Sequence, residues 1–163
     1  MTAIRALDSL AILGALHRRE VRFIVIGGVA GYLLGSSLLS ANLDICFATD
    51  FLNTRRLMAA LNDMHAQLRG SSDDHVDEQT LLRVEILSFK TDHGVLHCLG
   101  APAGTEGYDD LMAHAECMEV DGVTTYVASL QDLIRMKEAA SRPKDRAALV
   151  TLRAMQRLSK KRS

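Results

Sequence analysis

Residues 21–47 read VRFIVIGGVAGYLLGSSLLSANLDICF, and this stretch decides the fold. Its first six residues form a short apolar run rich in β-branched side chains, and two glycines end it. This pattern predicts a buried strand that turns directly into the next element. A short helix is predicted over Val29–Leu34. A second strand is predicted over Leu43–Phe47, where Asp44 and Cys46 share one face because side chains alternate along a strand.

The sequence on either side of this stretch adds further helices and two hairpins. The predicted helices cover 2–18, Asp50 or Asn53 to Leu68, Ser129 to about Ala140, and the residues after Pro143, and the predicted hairpins cover 84–99 and 117–127. Strands interleaved with helices predict an α/β fold, α+β by some conventions, with a mixed sheet flanked by helices and a helical C-terminal end. We expect a single domain over 1–163, with a sheet-containing core over 1–128 and C-terminal helices over 129–163.

Composition limits the class of protein. Hydrophobic residues make up 48% of the chain and aromatic residues only 4%, so aliphatic side chains must form most of the core. The three cysteines are far apart and form no CxxC pair, which argues against a zinc site or a disulfide framework and favours a cytoplasmic location. The apolar residues near the N-terminus are interrupted by Arg5 and Asp8, as in an amphipathic helix rather than a signal peptide. Glycines and serines within 23–42 argue against a membrane span, so no membrane partner is expected.

Charge is concentrated at the C-terminal end, although the net charge of the chain is only −1. Residues 142–163 contain eight Lys and Arg against one acid, Asp145. A solvated helix face explains this arrangement. The alternative is a contact for the phosphate groups of a nucleotide or RNA.

The Gly27-Gly28 turn and the strand after it have a chemical interpretation. Backbone amides at the start of a helix suit a phosphate group, because the N–H donors and the helix dipole both favour an anion there. A strand that presents acidic side chains two residues apart can hold magnesium, which prefers oxygen ligands. The alternatives are a tight turn for Gly27-Gly28 and a surface carboxylate for Asp44.

Together these residues resemble the nucleotidyltransferase superfamily of the DNA polymerase β type. The glycine turn followed by an Asp-x-Asp-like strand carries the resemblance, which is closest to the abortive-infection and toxin–antitoxin branch. That branch also has a helical Lys, matched by Lys137, and a late basic-Asp motif, matched by Lys144-Asp145. The resemblance implies an NTP substrate, a Mg²⁺ or Mn²⁺ cofactor, and an RNA or a cognate antitoxin-like protein as partner.

The same resemblance shows where this chain departs from the family. The first acid of the Asp-x-Asp pair falls on Asn42, and the third carboxylate position falls on His97. An amide oxygen is neutral, and an imidazole suits zinc or other transition metals better than magnesium. Glu85 and Asp92 are candidates to replace the missing acids.

Two functions follow from the resemblance. In the first, the protein is an enzyme that transfers a nucleoside monophosphate from NTP to an RNA or protein acceptor, weakened by loss of two carboxylates. In the second, it is an inactive relative, a pseudoenzyme, that binds nucleotide, RNA or a partner protein. The expected catalytic residues are Asp44, Lys137 and Asp145; the expected nucleotide-binding residues are Gly27, Gly28, Lys137 and Lys144; and the expected metal positions are Asp44 and the degenerate Asn42 and His97.

For the last two motifs, structural roles are the alternative. Lys137 could be an ordinary solvent-exposed lysine on the surface of a helix. Asp145 would lie in the first turn of a helix, where an acid is favoured by the helix dipole in any case.

Overall fold

A computed structural model describes residues 6–70, 77–83 and 86–161. Helices and strands are interleaved along the chain. In order they are α1 (Ser9–Arg18), β1 (Phe23–Ile26), α2 (Gly27–Leu33), β2 (Asn42–Phe47), α3 (Phe51–Asp63), β3 (Gln67–Leu68), α4 (Glu78–Arg83), β4 (Ile86–Thr91), β5 (Gly94–Leu99), α5 (Tyr108–Met112), β6 (Glu116–Val120), β7 (Val123–Val127), α6 (Leu130–Ala140) and α7 (Pro143–Lys161). The predicted α/β class is confirmed.

The strands form one seven-stranded sheet in the order β3-β4-β5-β2-β1-β7-β6. The sheet is mixed, as predicted: β2 is antiparallel to β1 and parallel to β5, and β1 is parallel to β7. The register places Ile26, the last residue of β1, opposite Asp44. On the other side of β2, His97 of β5 lies opposite Asp44. The sheet therefore joins the glycine turn, Asp44 and His97 across three neighbouring strands.

The core is mainly aliphatic, as the low aromatic content requires. All four residues of β1 are buried, which explains why this strand is a continuous apolar run rather than an alternating one. Helices α1 and α3 bury their apolar faces in the same cluster. The largest fully buried side chains include Ile12, Leu16, Ile24, Leu43, Phe47, Leu57 and Phe89.

The first helix is shorter than predicted. The expected helix over 2–18 begins only at Ser9, and residues 2–5 lie outside the described residues. Asp8 caps the helix, accepting a hydrogen bond from the backbone N–H of Ala11 at 3.1 Å. The backbone N–H of Asp8 donates to the carbonyl of His93, at the turn between β4 and β5. This contact ties Asp8, directly before the helix, to the hairpin.

The third helix also ends earlier than predicted. It was expected to reach Leu68, but it ends at Asp63, and His65 adopts a left-handed φ of 51°. Gln67–Leu68 then pairs with β4 as an edge strand. At this edge of the sheet, strand pairing takes the place of the last turn of the predicted helix. Gly70 therefore follows a strand and not the end of a helix.

The C-terminal helices agree with the prediction. Ser129 caps α6 by accepting a hydrogen bond from the backbone N–H of Asp132 at 3.1 Å. The helix ends at Ala140, Ser141 follows with a left-handed φ of 54°, and Pro143 begins α7. In the part of the chain that the structure describes, no helix has both the length and the apolar character needed to cross a membrane.

Candidate functional site

One cleft of about 380 Å³ lies between the central strands and the α6–α7 pair. It is lined by all of the residues that were expected to be catalytic, nucleotide-binding or metal-binding. They are Gly27, Gly28, Asn42, Asp44, His97, Lys137, Lys144 and Asp145. These residues are up to 118 positions apart in the chain. They come together because of the register of the strands and the position of the C-terminal helices α6 and α7.

The glycine turn lies directly against Asp44. Gly27 has a φ of +69°, and a Cβ added there would lie 2.2 Å from Asp44 Oδ2. A Cβ on Gly28 would lie 2.8 Å from the Cβ of Ser40. Both positions need glycine for close approach, and Gly27 needs it for backbone conformation as well. The two glycines therefore let the turn pack directly against Asp44 and Ser40 at the edge of the cleft.

The strand side of the cleft consists of Asn42, Asp44 and His97. Asn42 and Asp44 are two residues apart on β2 and line the cleft together, as their spacing predicts. His97 Nδ1 lies 2.8 Å from Asp44 Oδ1, and the two side chains are 25% and 26% exposed. The pair is close but poorly aligned, and Oδ1 is buried without a donor directed at it as a hydrogen bond.

The helical side of the cleft is built around Asp145. Its carboxylate is fully buried, with 0% of the side chain exposed. Lys137 Nζ donates to Oδ1 at 3.1 Å, and Arg142 Nε donates to Oδ2 at 2.7 Å. Arg142 adds a second guanidinium contact at 3.3 Å and a backbone N–H contact at 3.1 Å. Every contact of this carboxylate is with a charged or backbone donor.

These donors determine the ionisation of Asp145. Burial by itself raises the pKa of a carboxyl group, but the hydrogen bonds from Arg142 and Lys137 outweigh it and lower the pKa of Asp145 to about 2. The same contact raises the pKa of Arg142. Asp145 is therefore ionised at neutral pH and has no free oxygen with which to accept a substrate proton.

Arg142 is the residue of the site that the sequence interpretation missed. It lines the cleft and is about half exposed, while its guanidinium is fixed on Asp145. The signal was its spacing, since Arg142 precedes Asp145 by three residues at the start of α7. Lys144 lies between them in sequence and is exposed at the cleft.

Aliphatic side chains form the rest of the cleft. Leu38 and Leu39 of the loop before β2 line it, and Leu39 is 87% exposed. Ile86 of β4 also lines the cleft and is more than half exposed. Exposed leucine and isoleucine beside a cationic surface give the cleft an apolar part and an anion-attracting part.

The donors on the strand side do not fit the Mg²⁺ or Mn²⁺ that the resemblance implies. Asp44 Oδ1 is a suitable hard oxygen, but Asn42 is neutral and a nitrogen of His97 approaches the same Oδ1. Within the described residues, no group of three His, Cys, Asp or Glu side chains could hold a metal ion. This donor set matches poorly with a two-metal site.

Of the two candidates for replacement acids, the structure describes Asp92 alone. Asp92 lies at the turn between β4 and β5, contacts His65 Nδ1 at 2.5 Å and does not line the cleft, so its proposed replacement role is wrong. Glu85 lies outside the described residues.

No protein-family model matches the sequence, and no curated protein matches it. Several solved structures do resemble the chain. The lincosamide antibiotic adenylyltransferase LnuA, bound to lincomycin, aligns with a TM-score of 0.64 at 11% identity, over 93% of this chain and 99% of that one. TM1012, a proposed nucleotidyltransferase from Thermotoga maritima, aligns with a TM-score of 0.55 at 17% identity, over 91% and 89% of the two chains.

An antibiotic-resistance factor has a similar structure as well. ANT(2'')-Ia in complex with adenylyl-2''-tobramycin aligns with a TM-score of 0.53 at 16% identity, over 86% of this chain and 82% of that one. At these identities the likeness shows the fold, and the fold is that of nucleotidyltransferases.

Proposed function

We propose that this chain binds a nucleoside triphosphate in the cleft and transfers its nucleoside monophosphate slowly or not at all. The observation that carries the proposal is the helical side of the cleft. Lys137 and Arg142 are both anchored on the buried Asp145, and they lie in the same cleft as the glycine turn and Asp44. Similarity of the fold to adenylyltransferases supports a nucleotide as the ligand.

Different residues of the cleft contribute to ligand binding in different ways. Lys137, Arg142 and Lys144 supply positive charge for phosphate oxygens, and charge-assisted hydrogen bonds of this kind are among the strongest in proteins. Gly27 and Gly28 line the cleft and hold its backbone turn close to Asp44 and Ser40. Asp145 fixes Lys137 and Arg142 in place, so it is a positioning residue rather than a general base.

Transfer needs more than binding. Phosphoryl and nucleotidyl transfer rely on positioning and on stabilising negative charge, for which enzymes of this type use bound divalent cations. Among the described residues, the strand side of the cleft provides one carboxylate, Asp44, where two more would be needed to hold such cations well. Because Asn42 and His97 cannot supply that charge, we expect poor transfer.

A residual transferase is the second candidate. The buried Oδ1 of Asp44, which has no donor directed at it, favours it, because a buried carboxylate oxygen usually has a partner. In this case Mg²⁺ or Mn²⁺ would be required, and the acceptor would be RNA or a protein hydroxyl, with the basic helix α7 as a contact surface. Membership of the toxin–antitoxin-like branch stays a prediction.

Calorimetric titration with ATP, CTP, GTP and UTP in turn, each with and without divalent cation, tests nucleotide binding. At least one NTP should bind, and Lys137→Ala should weaken binding by about tenfold, the value of one charge-assisted contact. Lys161→Ala, which removes the same charge at the far end of α7, is the matched control and should bind normally. Absence of binding by every NTP under every condition would contradict the proposal.

A further inference from the structure

The formal charges that line the cleft favour an anion over a metal–anion complex. Among the described residues that line it, three are permanent cations and two are carboxylates. The cations are Lys137, Arg142 and Lys144, and the carboxylates are Asp44 and Asp145. In a competent two-metal site the balance is reversed, because clustered carboxylates attract the cations that in turn hold the phosphates.

The positive side chains keep donors to spare after binding Asp145. Lys137 uses one N–H in that contact, and Arg142 uses its Nε and one Nη2 donor. An ammonium and a guanidinium both carry more N–H groups than these contacts consume. The remaining donors belong to side chains that line the cleft, so a polyphosphate can be bound without breaking the ion pairs.

We infer that the polyphosphate of the nucleotide binds directly to Lys137, Arg142 and Lys144, with no divalent cation needed to hold it. This inference rests on the proposed nucleotide binding and adds how the ligand is held. Asp145 is the positioning residue of this anion site. Arg142, with its planar fork, is the main phosphate contact, because guanidinium groups bind phosphate oxygens in pairs.

The dependence on divalent cation distinguishes this mode of binding from a metal-bridged one. Mg²⁺ neutralises part of the charge of a polyphosphate, so a site made of cations binds the free nucleotide better than its magnesium complex. A metal-bridged site behaves in the opposite way. The experiment is calorimetry on the full chain with its best-binding NTP, first in EDTA and then in excess Mg²⁺.

We expect the NTP to bind in EDTA, and Mg²⁺ to leave the affinity unchanged or weaken it by a few-fold. Inorganic triphosphate should compete for the same site. Binding that occurs only with Mg²⁺, or that Mg²⁺ strengthens about tenfold or more, would overturn the inference and leave the proposed function standing. Failure of every NTP to bind in both conditions would overturn both.

Two variants test the named residues. Arg142→Gln should weaken NTP binding in EDTA by about tenfold. Its matched control is Arg153→Gln, which removes the same charge from α7 at an exposed ion pair with Glu138 and outside the cleft lining. If both variants bind as tightly as the wild-type protein, Arg142 is not the phosphate contact and the inference is wrong.

Asp145→Asn separates positioning from simple charge. Removing a negative charge from an anion site should tighten binding if Asp145 acts only through its charge. We expect the opposite, weakening of about fivefold or more, because Lys137 and Arg142 lose the contacts that orient them. Tighter binding by a folded Asp145→Asn protein would overturn the positioning role. If this variant does not fold, the Arg142→Gln comparison and the Mg²⁺ dependence still decide the inference.

Discussion

The two sides of the cleft come from different parts of the chain and differ in how completely their polar groups are paired. On the helical side, Asp145 is fully buried and each of its oxygens accepts from charged donors. On the strand side, the Asp44 oxygen nearest to His97 is buried without an aligned donor. The helical side is therefore a completed ion-pair network, whereas on the strand side the carboxylate of Asp44 has only a neutral amide, Asn42, and His97 beside it among the described cleft residues.

The strongest test of the strand side is Gly27→Ala. Its methyl group would meet Asp44 Oδ2 at 2.2 Å, in a backbone conformation with φ of +69°. Backbone strain and overpacking together should lower the free energy of unfolding by about 3 kcal/mol. Gly122→Ala is the control, since its φ is +80° but no atom lies within 4 Å of the added Cβ. Urea denaturation should show that the control loses only about 1 kcal/mol of its free energy of unfolding. Equal losses in the two variants would mean that the Asp44 side chain moves aside without a cost in stability.

The helical side is tested by the pH dependence of Asp145→Asn. Because the pKa of Asp145 is lowered from 3.8 to about 2 in the folded protein, its ionised form stabilises the fold above pH 3.8. This stabilisation disappears as the pH falls towards 2. At pH 7 the substitution should cost about 2 kcal/mol, the free-energy equivalent of the pKa difference.

Denaturant unfolding of the two proteins between pH 7 and pH 2 measures this effect. The difference in stability should be constant down to about pH 4 and then shrink. A difference that stays constant through the whole range would show that the carboxylate charge of Asp145 does not stabilise the folded state.

Restoring charge to the strand side should make it more like a metal site. The double variant Asn42→Asp, His97→Asp places three carboxylates where Asp44 is now the one carboxylate among the described strand-side residues. We expect Mg²⁺ affinity, measured by calorimetry, to rise by about tenfold or more. Asn62→Asp, which adds an acid at an exposed position of α3, is the control for a general change in net charge. Equal Mg²⁺ affinity in the double variant and the control would show that the strand side is not a latent metal site.

The smallest expected effect concerns Lys144, the exposed cation of the helical side. Lys144→Ala should weaken NTP binding by about threefold at low salt, because exposed charges interact weakly through water. The difference should disappear at about 1 M salt, where screening acts over roughly 3 Å. Lys161→Ala serves again as the control. A loss that persists at high salt would mean that Lys144 contacts the ligand in a desolvated position.

The parts of the fold that sequence predicted have strong local signals. The apolar run before Gly27-Gly28 identified β1, and the Ser129 cap and Pro143 marked the starts of the last two helices. Where tertiary contacts prevail, prediction failed. The end of α3 depends on the pairing of Gln67–Leu68 with β4. No residue near this point in the sequence indicates that pairing.

Two short helices were missed for a related reason. The helix α5 has only five residues, Tyr108–Met112, and follows Gly107, whose φ is 102°. The helix α4, Glu78–Arg83, has only six residues. Elements of this length show little of the periodicity from which helices are predicted.

The site could be predicted as a set of positions but not as a network. Spacing and resemblance identified eight positions that line the cleft, from Gly27 to Asp145, but not Arg142. They could not show that Asp145 would be buried between Lys137 and Arg142, because burial depends on how α6 and α7 pack. Nor could they show His97 Nδ1 close to Asp44, since that contact depends on the register of β2 and β5.

One measurement tests the central claim that this cleft binds nucleotide but lacks the charges for efficient transfer. The wild-type protein is incubated with labelled ATP, CTP, GTP and UTP, with Mg²⁺ or Mn²⁺, in the presence of total RNA, and label on RNA or on the protein itself is followed over time. We predict no transfer, or transfer far slower than enzymatic turnover. Robust transfer that depends on the metal, at a rate on the order of one per second, would contradict the claim and show that the strand side is a working metal site.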